Sequence, residues 1–201
     1  MIIAISGTPG TGKTYIASKI AKATKNKLEH FQLNKYIKEN KLYDSYDKKA
    51  DTYDVDVKVL KKIIEPTFKN EHSKNKELDK LVGKTIKLTD LIKVFSKIKD
   101  EGVVIDSHLS HNLENDYCII VKSDIKNINK RLKERKYSKD KIKDNVESEI
   151  FDVCFDEAVK LDTDFFNNQL SGNGGVKAEV SVQVVTADEG RRFTRFELCV
   201  G

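Results

Sequence analysis

Residues 7–14 read GTPGTGKT and follow directly on the apolar run MIIAIS. This is a complete G-x-x-x-x-G-K-[ST] phosphate loop, with Gly7, Gly12, Lys13 and Thr14 at its defining positions. Such a loop needs a strand before it and a helix after it. Ile2, Ile3 and Ile5 suit a buried strand, and Thr14 to Lys25 has helical spacing, with Ile16, Ala17, Ile20 and Ala21 on one face. Strand, loop and helix N-terminus together aim backbone N–H groups and a positive dipole end at a polyphosphate. Gly7, Gly10 and Gly12 allow the backbone to approach closely. Thr11 and Tyr15 complete the stretch that would surround the anion. Lys13 can reach the β- and γ-phosphates, and the Thr14 hydroxyl can bind Mg²⁺.

Three further groups have the chemistry to act beside such a loop. Asp106 ends the apolar run VVID, and His108 follows it. A strand-end carboxylate there suits a metal-positioning role, with helix capping as the plainer alternative. His108 can orient water or touch a phosphate, or it can serve the structure. His108 and His111, two histidines three apart, make only a weak zinc reading. Arg131 and Arg135 are the only arginines in the first 170 residues, against 31 lysines. Four apart on a helix, they can share a face and offer planar, forked donors to a transferring phosphoryl group. Carboxylate partners such as Glu134 are the alternative. Between Gln32 and Val55, Lys38, Tyr43, Asp44, Tyr46 and Asp47 have the rings and acids to hold a base. Taken alone, those residues read first as a solvated loop with its tyrosines packed on the domain.

These groups need elements to hold them. The spacing predicts strands over 2–6, 103–106 and 117–122. It predicts helices over 14–25, 33–39, 55–65, 90–99 and 124–134, and one long helix over 139–161. In that last helix Ile142, Val146, Ile150, Val153 and Ala158 lie near one stripe. Thr89 is expected to cap the 90–99 helix and Gly102 to close it. Residues 66–88, polar and lysine-rich after Pro66, read as a surface excursion with a short helix near Leu78 to Val82. Short apolar strands between amphipathic helices indicate an α/β protein with a parallel sheet covered on both faces.

The chain has 201 residues, enough for one sizeable core, and a formal charge of +5. Lysine supplies 32 of its 37 positive charges, which fits a compositional bias or a weak attraction to phosphates and RNA. Cys118, Cys154 and Cys199 are widely spaced without a C-x-x-C pair, so free thiols in a reducing compartment are expected. No run of ~18 apolar residues is present to span a bilayer. The N-terminal apolar run is short and lacks a basic leader. A cytoplasmic protein without a membrane partner is the expectation, and composition leaves its oligomeric state open. After residue 171 the character changes. Residues 171–201 hold one lysine but three of the five arginines, and they read as a β-hairpin. The tail is either a native edge hairpin or foreign sequence joined near the glycines.

Taken together, GTPGTGKT, KLYDSYD, VVIDSHLSH, RLKERKYS and IKDNVESEIFDVCFDEA resemble the atypical adenylate kinases linked to small-ribosomal-subunit maturation, and HLSH resembles their archaeal members. The resemblance covers about residues 1–170. It implies a three-layer P-loop nucleoside-monophosphate kinase fold with a parallel sheet and a short lid. Residues 1–170 would form the kinase domain, with 32–55 binding the monophosphate and 134–144 forming the lid. Residues 171–201 would be a hairpin-like tail. It implies phosphoryl transfer from ATP to AMP with Mg²⁺, alongside ATPase activity. Gly7, Gly10, Thr11, Gly12, Lys13, Thr14, Tyr15 and Arg135 would hold ATP, and Thr14 and Asp106 the metal. Lys13, Arg131, Arg135, Asp106 and His108 would act on the reaction. A ribosomal small-subunit protein and rRNA are the implied partners, and an ATP-switched assembly factor is the alternative activity. The chain departs from the family at Lys136, where the lid usually has glycine, and at Lys38, where some relatives have arginine.

Overall fold

Ile2–Ser6 (β1) is buried along its whole length, which only a central strand of a covered parallel sheet requires. It pairs in parallel with Gly102–Asp106 (β6) on one side and Tyr117–Lys122 (β7) on the other. The computed structural model describes residues 1–48, 52–68, 74–170 and 181–186, with side chains as far as residue 161. Among the described residues the sheet has six strands, completed by Leu28–Gln32 (β2), Thr85–Lys87 (β5) and Ser181–Thr186 (β8), in the order β2-β6-β1-β7-β8-β5.

Alternate residues of β1 feed opposite layers. Ile3 and Ile5 pack with Ile16, Ala17 and Ile20 of Lys13–Ala23 (α1) and with Leu91 and Phe95 of Leu88–Phe95 (α5). Ile2 packs on the other face with Leu33 and Ile37 of Leu33–Glu39 (α2) and with Leu60 and Ile64 of Val57–Ile64 (α3). Ala4, Cys118 and Ile120 meet Ala158 of Val153–Leu170 (α8). This is the expected three-layer α/β arrangement around a parallel sheet. Ile125–Glu134 (α6) buries Ile128 and Leu132 against Lys139–Ile150 (α7).

Several elements differ from the sequence reading. β2 was not expected: LEHFQ buries only its leucine fully, because it runs at the sheet edge and shows no strong alternation. The tyrosine-rich stretch forms a small antiparallel ribbon, Ser45–Asp47 (β3) with Thr52–Asp54 (β4), in which Tyr46 lies opposite Tyr53. The excursion over 66–88 is more than surface. Lys76–Asp79 (α4) inserts Leu78 into the main core, and β5 joins the sheet. Tyr117 anchors it by hydrogen bonds to Asn75 and Asp79.

β5 runs straight into α5, so Lys87 occupies the N-cap and Thr89 falls inside the first turn. Gly102 does not close α5, which ends at Phe95; it opens β6 instead, where a Cβ would lie 1.8 Å from the Met1 carbonyl oxygen. The long helix predicted over 139–161 is two. Asp152 adopts φ 55 between α7 and α8, and its carboxylate is held by Lys122. The break turns Ile150 and Val153 out of the stripe, and both are exposed. In the tail, β8 pairs in parallel with β7 and β5. The second arm of the expected hairpin lies outside the described residues, as does Cys199.

If the 66–88 segment is part of the core, Leu78→Ala should destabilise the protein by about 2–5 kcal/mol in denaturant unfolding. A change within about 0.5 kcal/mol would return the segment to the surface.

Candidate functional site

β1 and β6 end within a residue of each other, with Ile5 opposite Asp106, while β7 runs on two residues past Ile120, the partner of Ser6. The phosphate loop turns out of this edge. Gly7 has φ 133, and a Cβ there would meet the Val121 carbonyl oxygen at 2.3 Å, so only glycine lets the loop cross β7. Gly12, left-handed at φ 105, caps α1.

The loop is held from two sides. Arg131 Nη1 donates to the carbonyl oxygens of Gly10 at 3.0 Å and Thr11 at 3.3 Å, and to Ser123 Oγ at 3.0 Å. The buried Glu149 carboxylate of α7 accepts from Ser123 N at 3.0 Å and from the Thr8 side chain, and burial raises its pKa. Lys13 Nζ folds back onto the loop and donates to Gly7 O at 2.6 Å and Thr8 O at 2.9 Å. Burial pushes its pKa down to about 8, against the pull of acids including Asp106 and Glu149.

A cleft of about 1370 Å³ opens in front of the loop. Gly10, Thr11, Gly12, Lys13, Thr14 and Tyr15 form one wall. Asn34, Ile37 and Lys38 of α2, with Tyr53 and Val55, face into it from the 32–55 segment. Asp106 and His108 lie on its floor, and Arg131, Arg135 and Tyr137 line the α6 corner. Thus the expected phosphate-site and catalytic residues line one cavity except Gly7, which shapes the loop from behind; of the candidates for holding a base, Lys38 and Asp47 line it and Tyr43, Asp44 and Tyr46 do not. The tyrosines are not a loose loop: Tyr53 packs at 4.5 Å from Tyr43 and 4.8 Å from Tyr46, with Lys38 Nζ 5.9 Å from its ring centroid.

His108 is exposed to solvent in the cleft; the protein packed around it and the positive charges of Lys13 and His111 push its pKa down. His111 is buried, its Nδ1 2.6 Å from Ser6 Oγ and its Nε2 3.2 Å from Glu157 of α8. Its acid partner therefore comes from another element, not from Asp106 or Glu114 nearby in sequence. Burial lowers its pKa, opposed by Glu157.

Four contributors had no local signal. His30 Nε2 lies 2.7 Å from Asp106 Oδ2. Asn34 accepts from the Ser107 hydroxyl at 2.8 Å. Glu149 and Glu157 act from α7 and α8. Each meets its partner across the fold, and only strand register and helix packing reveal the pairing.

A family described as an AAA domain, a P-loop class, matches residues 3–152. A Pyrococcus furiosus protein named "Putative adenylate kinase" is 37% identical over 162 residues, which is 79% of this chain and 69% of that protein. The chain belongs to the adenylate-kinase-like P-loop family. A Schizosaccharomyces pombe relative, named an adenylate kinase isoenzyme 6 homolog, is 34% identical over 78% of this chain and 73% of its own. A Methanococcus maripaludis relative with the same name as the Pyrococcus protein is 29% identical over 80% and 73% respectively. Among the described residues, no helix of this family member is long and apolar enough to cross a membrane.

The lowered Lys13 pKa has a measurable consequence. A bound polyphosphate restores the charged form, so ATP binding should take up little proton near pH 6.5 and approach ~1 proton near pH 9. Calorimetry in buffers of different ionisation enthalpy reads this directly. Uptake that stays flat across the range would separate Lys13 from the phosphates.

Proposed function

We propose that the protein transfers a phosphoryl group from ATP to AMP. The observation that carries this reading is the two-walled cleft. At about 1370 Å³ it exceeds the ~300–1,000 Å³ of a site for one small ligand. One wall is the phosphate loop. The other is a separate polar and aromatic surface, Asn34, Lys38 and Tyr53, suited to a second nucleotide. Asp106 and His108 lie between them.

The oxygen donors available fit Mg²⁺. Thr14 and Asp106 line the same cleft, and the Asp106 side chain is 6% exposed with Oδ2 engaged by His30, leaving Oδ1 for a metal-bound water. Mg²⁺ held there would neutralise charge on the β- and γ-phosphate oxygens.

This chain's own groups do the rest. ATP draws Lys13 Nζ off the Gly7 and Thr8 carbonyl oxygens and onto phosphate oxygen. Arg131 keeps the loop in shape through Gly10 and Thr11, while Arg135 reaches the transferring group from the lid. Lys38 meets the monophosphate, and Tyr53 with its neighbours stacks on the base. His108, neutral at working pH, hydrogen-bonds without adding charge. Closing the lid over both nucleotides aligns donor and acceptor and excludes water. No covalent intermediate is needed.

An assay of ADP formation with and without AMP tests the proposal. AMP should stimulate turnover, with ADP formed from both nucleotides. AMP-independent hydrolysis stimulated by a ribosomal small-subunit protein or rRNA would instead support the ATP-switched assembly factor. Lys13→Ala should abolish turnover. Arg135→Ala should lower kcat on the order of 100-fold with a smaller effect on ATP affinity. An unchanged kcat would remove Arg135 from the transition state.

A further inference from the structure

His30 is unexpected where it stands. β2 is the edge of the sheet, where an imidazole would ordinarily be hydrated. Its side chain is only 15% exposed, and its Nε2 lies 2.7 Å from Asp106 Oδ2, itself on a side chain 6% exposed. The register explains the meeting. His30 lies opposite Val104, so it shares a sheet face with Asp106 two residues further along β6. An ionised carboxylate only accepts, so Nε2 carries the proton.

The contact has a neighbour that strengthens it. Asn34, at the start of α2, accepts from the Ser107 hydroxyl at 2.8 Å, and Ser107 Oγ accepts from Leu109 N at 3.0 Å. The β2–α2 corner therefore grips both Asp106 and the residue after it. A carboxylate rotates easily about its last torsion. With Oδ2 committed to His30, that rotation is restrained, and Oδ1 stays available in a cleft that Asp106 lines.

We propose that His30 is a positioning residue for the metal-nucleotide site, setting the Asp106 carboxylate for Mg·ATP. This inference rests on the phosphoryl-transfer reading and adds to it a residue outside the phosphate loop and lid. Partners of this kind behind a metal-directed carboxylate are commonly worth 10–100-fold in metal affinity.

The test compares binding of Mg·ATP with binding of ATP in EDTA by calorimetry, together with kcat, KM for AMP and thermal stability. His30→Phe keeps a strand-compatible ring but no donor. His30→Asn keeps polarity but ends short of Asp106. His30→Gln places an amide nitrogen as many bonds from the backbone as Nε2. In H30F and H30N the preference for Mg·ATP over metal-free ATP should fall about tenfold, and the Mg²⁺ needed for half-maximal rate should rise equally. Metal-free ATP affinity and KM for AMP should hold. H30Q should restore most of the preference. A merely structural tie would lower the melting temperature and leave the preference intact. That result, in either deletion variant that folds, overturns the proposal. A wild-type protein that does not prefer Mg·ATP would bring down the metal reading and this inference together. An intact wild-type preference that survives in either deletion variant that folds would bring down His30 alone.

Discussion

The parallel register of β1 against β6 and β7 is the constraint on which the site depends. With Ile5 opposite Asp106 and Ser6 opposite Ile120, β1 and β6 end side by side and β7 runs two residues further. The phosphate loop, the Asp106–His108 corner and Ser123 then meet at one edge, where α/β sheets place their ligands. A shift by one residue would turn Asp106 to the opposite face and move it away from α1. The apolar alternation that builds the two core layers is thus also what aims the polar groups. Packing and chemistry are specified by the same residues.

A second tier of contacts keeps the loop in shape. Its carbonyl oxygens point partly inward, where they need donors. Arg131 and Lys13 supply them at Gly10, Thr11, Gly7 and Thr8. Glu149 holds Thr8 and Ser123 from α7. The two cations differ in what a ligand would do to them. Arg131 is fixed by three acceptors on separate residues, whereas Lys13 is a flexible ammonium with only local partners to surrender. One can remain a brace while the other exchanges partners.

The parts of the fold that were legible in the sequence are those whose signal is local. GTPGTGKT names its own strand and helix. β6, β7, α2 and α6 each have apolar runs or helical spacing that packing then confirms. Elements at the margins were not legible. β2 and β5 are edge strands with little to alternate, and the α7–α8 break hides because helical spacing continues across Phe151 and Asp152. The site was legible in its cleft-lining members. It was not legible in His30, Asn34, Glu149 and Glu157, whose partners lie far away in sequence. Arg131 was singled out for its rarity, but only the fold shows that its guanidinium is spent on the phosphate loop's carbonyl oxygens.

The two corners of α7 carry a mechanical consequence. Lys136 at φ 59 and Asp152 at φ 55 bracket the helix, both left-handed without being glycine. Between them lies a stiff rod of 12 residues, roughly 18 Å long. A swing of about 10° at the Asp152 end carries the Ser138 end through roughly 3 Å, about the length of a hydrogen bond. Glu149, close to the pivot, travels less than about 1 Å in the same swing. Such a lever amplifies a small adjustment near Asp152 into a large one over the cleft mouth, while its grip on Thr8 barely shifts.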